Sequence, residues 1–226
     1  MNSRSALLLS LFAFVFAACA EPTPDPYGTD GEVQRPSFTI TAEASFDAAN
    51  LPAYSGDHTA TYAYIDDNID AHLGNLQRWL RQPSVSAQNF GIQEMAEMLR
   101  SDLEGLGFVE AELVATSGHP GVWGYYDANA DKTLMVYLMY DVQPVNPEDW
   151  VSPPFEARLV ENQHGTVLMA RGATNQKGPE RAFLNALESI LATEGTLPVN
   201  LMVVAEGEEE LGSPHYPEII DAYEER

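Results

Sequence analysis

Ile65, Ile69, Leu73, Leu76 and Leu80 recur at steps of four, four, three and four, which predicts one helix face running to a stop near Pro83. Ile92, Met95, Met98, Leu99, Leu103 and Leu106 repeat with the same period, and Gly105 and Gly107 sit where that second helix would end. Thr133 to Tyr140 (TLMVYLMY) is a short apolar run rich in strand formers and bounded by Asp131 and Asp141; it predicts a buried strand that delivers Met139, Tyr140 and Asp141 at its end. Val167 to Met169 predicts another strand. The loop from Arg171 to Pro179 follows, and then a helix with Phe183, Leu184, Leu187, Ile190 and Leu191 as its stripe and Pro179 in its first turn. Val199 to Ala205 (VNLMVVA) predicts a third buried strand that opens onto Glu206-Gly-Glu-Glu-Glu210, and EIIDAYEER predicts a last helix. Strands alternating with helices predict an α/β domain built on a mainly parallel sheet flanked by helices.

The N-terminus departs from this pattern. Arg4 precedes an apolar stretch from Ala6 to Ala18 that ends in small residues around Cys19, the arrangement of an export signal over 1–20. The stretch is too short to span a bilayer comfortably, and no later run of about 18 apolar residues occurs. Phe16-Ala-Ala-Cys19 resembles the lipobox of bacterial lipoproteins, which would place a lipid anchor on Cys19 at the periplasmic or outer surface. Cleavage read instead at Ala18-Cys-Ala20 would release a secreted protein beginning at Glu21. Residues 21–60 then read as a tether and N-terminal extension, its first part rich in Pro and Gly and without an apolar face, and 61–226 as the folded domain. Cys19 is the only cysteine, so no disulfide can form within the body.

Charge narrows the function classes. Asp and Glu number 34 against 11 Lys and Arg, a formal charge of −23, which argues against nucleic acid and against docking on an anionic membrane face. In an α/β sheet ligands bind beyond the carboxyl ends of the strands, so Asp141, the 171–179 loop and Glu206 to Glu210 form the candidate site. Adjacent carboxylates after a buried strand are costly to desolvate together unless a cation or proton lies between them, which suggests a metal; a solvated turn is the bland alternative. Lys177 precedes Gly178 and Pro179 instead of following Gly and preceding Ser or Thr, so the loop is no phosphate cradle. There is no G-x-S-x-G elbow, and His58, His72, His119, His164 and His215 show no metal-ligand spacing.

Three strings in order, LMYDVQPVNPEDWVSPPFEARL, LMARGATNQKGP and LPVNLMVVAEGEEELGSP, resemble the di-zinc metallopeptidase family of carnosinase-type dipeptidases, aminoacylase, glutamate carboxypeptidase and succinyl-diaminopimelate desuccinylase. The dipeptidases are the most similar through D-V-Q-P-V and W-x-x-x-P-F. The resemblance implies a zinc-peptidase-like catalytic domain, two zinc ions per site, and a small peptide or N-acyl amino acid whose amide is hydrolysed. It also implies roles by position. The family's H-x-D becomes Met139-Tyr140-Asp141, so Asp141 keeps the place of the residue that orients a histidine ligand, while the ligand itself is a thioether. The bridging carboxylate becomes Asn175; Glu209 takes the place of the general base and Glu210 that of a zinc ligand. A set of one carboxylate, one amide and one thioether is expected to bind Zn²⁺ weakly or not at all. With the sequence ending at Arg226, the family's later ligands and dimerisation domain are expected to be absent and the catalytic domain C-terminally incomplete. The resulting expectation is an impaired exopeptidase, with a non-catalytic or truncated relative, serving as scaffold or peptide-binding module, as the alternative.

Overall fold

A computed structural model describes residues 56–224; the export signal, most of the tether and Cys19 lie outside the described residues. The first predicted helix is two: α1 (Thr59–Asp67) and α2 (Ile69–Arg81). The break falls at Asn68, whose side-chain amide and backbone N–H both donate to the Tyr64 carbonyl, at 2.8 and 3.0 Å, and so close α1 with a local side-chain bond. The apolar stripe is therefore not one buried face: Leu80 is fully buried and Ile69 is 57% exposed. α3 (Ile92–Gly105) and α4 (Lys177–Glu194) fall where their periodicity put them.

Among the described residues, six strands in two sheets follow the first three helices: β1 (Glu110–Val114), β2 (Gly121–Tyr126), β3 (Thr133–Met139), β4 (Arg158–Asn162), β5 (Gly165–Met169) and β6 (Asn200–Glu206). The larger sheet has the order β1-β2-β6-β3, in which β3 and β6 run parallel while β1–β2 and β2–β6 are antiparallel. The α/β class holds, but the sheet is mixed where the alternation predicts it mainly parallel. The antiparallel half comes from β1 and β2, whose sequences EAELV and GVWGYY hide their strand character behind carboxylates and glycines. The predicted strand at 167–169 is part of β5, which leaves the main sheet and pairs antiparallel with β4 as a separate ribbon.

β6 is buried as expected and alternates cleanly. Leu201, Val203 and Ala205 face a core built with Trp79, Met95, Leu99, Leu103 and Leu184 of the helices, while Val204 faces Trp123 and Ile219 on the other side. Ile219 belongs to α5 (Tyr216–Asp221), the short helix that forms where EIIDAYEER predicts one. Helices thus cover both faces. β3 departs from the expectation: it is an edge strand of the described sheet, and Leu134, Met135 and Tyr137 are 51%, 59% and 42% exposed. An unbroken apolar run reads as burial on both faces, yet only Leu138 is buried within the strand. Among the described residues no helix is long and apolar enough to cross a membrane.

A candidate active site at the ends of the parallel strands

The parallel pairing sets Met139 opposite Glu206, so β3 and β6 release the chain at the same end of the sheet. Asp141 leaves one strand and Glu208 to Glu210 leave the other. Gly207 makes this turn possible, because a Cβ there would lie 2.6 Å from the ring of Tyr140, which is fully buried. The three loops singled out in the sequence do converge.

Asp141 is the hub. It has no exposed surface, and its Oδ1 accepts the Glu209 N–H at 3.1 Å while Oδ2 accepts the Glu210 N–H at 3.1 Å and the Ser86 hydroxyl at 2.7 Å. Burial pushes its carboxyl above the usual range, and the Ser86 hydroxyl and the two amides work against that rise. Asp141 thus caps the 3-10 turn Glu209–Leu211 and orients both glutamates through their backbone. Glu209 and Glu210 are half-buried at the mouth. Neither oxygen of Glu210 is free: Gln143 Nε2 donates to Oε2 at 2.6 Å and Gln176 Nε2 to Oε1 at 2.5 Å.

The remainder of the acidic run is not a solvated turn. Glu206 is 2% exposed, and one of its oxygens accepts the Tyr137 and Ser213 hydroxyls at 2.6 and 2.8 Å. Glu208 is 6% exposed, accepts the Nδ1–H of His215 at 2.6 Å and the backbone N–H of His119 at 3.2 Å, and leaves no room for a Cβ at Gly118. His119 in turn donates Nε2–H to the Ser86 carbonyl at 3.0 Å, which links this loop back to the Asp141 hub.

Met139 is half-buried and Asn175 exposed. The Met139 N–H donates at 2.6 Å to Glu180 of α4, a buried carboxyl that burial pushes up to about 8. Lys177, also of α4, is fully buried with its ammonium turned to the carbonyls of Trp79 and Gln82, and burial pulls it down to about 7. α4 therefore fastens the loop side of the site to the helix layer.

Sequence reasoning missed Ser86, Gln143, Gln176 and the Glu208–His215 pair. Gln143 and Gln176 each neighbour a motif position and carry a readable signal. Ser86 carries none, since it reaches the site from a segment 55 residues before Asp141; His215 lies only seven residues after Glu208, but nothing in the local pattern marks it as that residue's partner.

A buried aspartate and a glutamate pair at two neighbouring strand ends, on a mixed sheet with helices on both faces, make a carboxylate site of the kind α/β domains build beyond the carboxyl ends of their strands. Residues 136–225 match Peptidase family M20/M25/M40. The chain is 34% identical over 175 residues to the Cys-Gly metallodipeptidase of Candida albicans, covering 69% of this chain and 35% of that protein. It is 30% identical over 186 residues to the Beta-Ala-His dipeptidase of Rattus norvegicus, covering 75% of this chain and 37% of that one. Human carnosine dipeptidase 1 shares the fold with a TM-score of 0.65 at 27% identity, over 74% of this chain and 38% of the other. The chain carries part of an M20-family catalytic domain and spans little more than a third of the length of these relatives.

The family implies a metal, typically zinc. The donor set present does not suit one. Each oxygen of Glu210 already accepts a side-chain amide, Asn175 is neutral, Met139 offers only a thioether, and among the described residues no group of three or more His, Cys, Asp and Glu is arranged around a common point.

Proposed function

We propose that this chain is a dipeptidase-type domain for small peptides or N-acyl amino acids in which amide hydrolysis is impaired. The observation that carries the reading is a contrast within one site. Asp141 and the backbone of Glu209 and Glu210 keep an ordered hydrogen-bonded geometry, while Met139 and Asn175 replace an imidazole and a bridging carboxylate. In a competent site Glu209 would take a proton as general base, and that step needs an activated nucleophile which the altered donor set does not supply. The Cys-Gly and β-Ala-His dipeptidase relatives suggest the substrate class.

The test is turnover of Cys-Gly and β-Ala-His by the purified chain with added Zn²⁺ or Mn²⁺, set against Glu209→Ala. We expect the two proteins to give the same background rate. A wild-type rate about tenfold or more above the variant would overturn the reading, since loss of a general base costs at least that much. Export supports the setting in which such a domain would act: Arg4, the apolar stretch from Ala6 to Ala18 and Cys19 suit a secreted or lipid-anchored protein. Labelling with a radioactive fatty acid that is lost in Cys19→Ala would support the anchored form, and no label in the wild type would exclude it.

A further inference from the structure

Both carboxylate oxygens and the backbone N–H of Glu210 have protein partners. Its N–H is taken by Asp141, and its two carboxylate oxygens by the amides of Gln143 and Gln176 at 2.6 and 2.5 Å. Both bonds are of the charge-assisted kind, short and strong. The delivery of Gln176 is built into the fold. Gln176 is 4% exposed and holds φ 59° and ψ −98°, a left-handed conformation that a non-glycine residue keeps only where its surroundings over-determine it. Its carbonyl accepts the Glu180 N–H at 3.1 Å as α4 begins, so the backbone is pinned by the helix while the side chain reaches across to the neighbouring loop. Gln143 comes from the opposite side, two residues after Asp141, and closes the second oxygen.

We propose that this is a metal-independent carboxylate–amide clamp, in which Gln143 and Gln176 occupy the oxygens of Glu210 and the site is structurally complete without an ion. The inference deepens the impaired-hydrolase reading and rests on it for the place of Glu210. Its chemistry follows from the donors on the page. A cation entering here would compete with two charge-assisted bonds for the oxygens of one carboxylate, with a neutral amide and a thioether as the other candidates. The clamp also ties the loop after β3, the loop before α4 and the turn after β6 to one carboxylate, which is the joining role an ion would otherwise fill.

The experiment uses the full chain, stripped with EDTA and then titrated with Zn²⁺ alone. Calorimetry is expected to show no binding tighter than about 10 μM. The melting temperature is expected to agree in EDTA and in excess Zn²⁺ to within about 1 °C, whereas Gln143→Ala with Gln176→Ala lowers it by about 5 °C and Zn²⁺ does not restore the loss. Should the double variant fail to fold, Gln143→Ala alone changes an exposed residue, and the slow exchange of the Gln176 side-chain amide protons in the wild type, unchanged by EDTA, reports the clamp directly. Stoichiometric Zn²⁺ binding that is lost in Glu210→Ala, or a melting temperature that falls on EDTA treatment, would overturn the clamp. Zinc binding without turnover would sink the clamp and leave the impaired-hydrolase reading standing; turnover without zinc binding would do the reverse.

Discussion

Asp102→Ala is expected to destabilise the chain by about 3–4 kcal/mol. Asp102 sits on α3 and is the shared acceptor for three donors from two other helices: Arg78 at 2.7 Å, the indole N–H of Trp79 at 2.6 Å and Arg181 at 2.8 Å. Arg181 is 3% exposed and Trp79 has no exposed surface. Removing the carboxylate leaves a guanidinium facing Asn185 at 3.0 Å and Glu188 at 3.6 Å, and a core indole N–H without its acceptor. The cost is thus the desolvation of stranded donors, larger than the net value of the bonds themselves. Burial already pulls the Arg181 guanidinium below its ordinary range, and the Asp102 carboxylate opposes that pull. Asp102→Asn retains one acceptor oxygen and should lose about half as much. Urea unfolding of both variants checks this; a loss under about 1 kcal/mol for Asp102→Ala would show that the helix layer does not depend on the network.

Gly178→Ala is expected to cost about 3 kcal/mol and to loosen the site together with the fold. A Cβ at Gly178 would fall 1.9 Å from the carbonyl oxygen of Ala173, and that neighbour is backbone, so no rotamer change relieves it. The loop must move instead. It is the segment held by the Gly178 N–H to the Gly172 carbonyl at 3.0 Å, and it carries Asn175 and Gln176. The displacement should therefore draw Gln176 away from Glu210. Unfolding free energies measure the stability change, and exchange of the Glu209 and Glu210 amide protons shows whether the Asp141 cap survives. Unaltered stability in this variant would mean that the loop packs less tightly than the distances show.

Particular residues show where sequence reading succeeds. The periodicity of Ile92 to Leu106 and of Phe183 to Leu191 located α3 and α4, because an amphipathic helix writes its buried face directly into its spacing. β6 was legible for a related reason: a strand buried on both faces is uniformly apolar. TLMVYLMY looked the same, yet β3 lies at the edge with half its apolar side chains exposed, because strand order is decided by pairing partners and not by the strand's own composition. β1 and β2 were invisible because carboxylates and glycines interrupt them, and their pairing with β6 makes the sheet mixed.

The site divides along the same line. Asp141, the 171–179 loop and Glu206 to Glu210 were readable because each follows a strand end or forms a glycine loop that the local pattern marks, and the family resemblance singled out Asn175, Glu209 and Glu210 within them. Local sequence determined that carboxylates would gather at the strand ends; that Met139 and Asn175 stand where relatives carry an imidazole and a carboxylate is what the family resemblance implies. Only tertiary structure decided what those carboxylates hold. Asp141 meets Ser86 across 55 residues, and Glu210 meets Gln143 and Gln176 across 67 and 34. Hydrogen bonds are made between groups brought together in space, and the folding that sets Met139 beside Glu206 in a parallel register is what brings these partners within reach of one another.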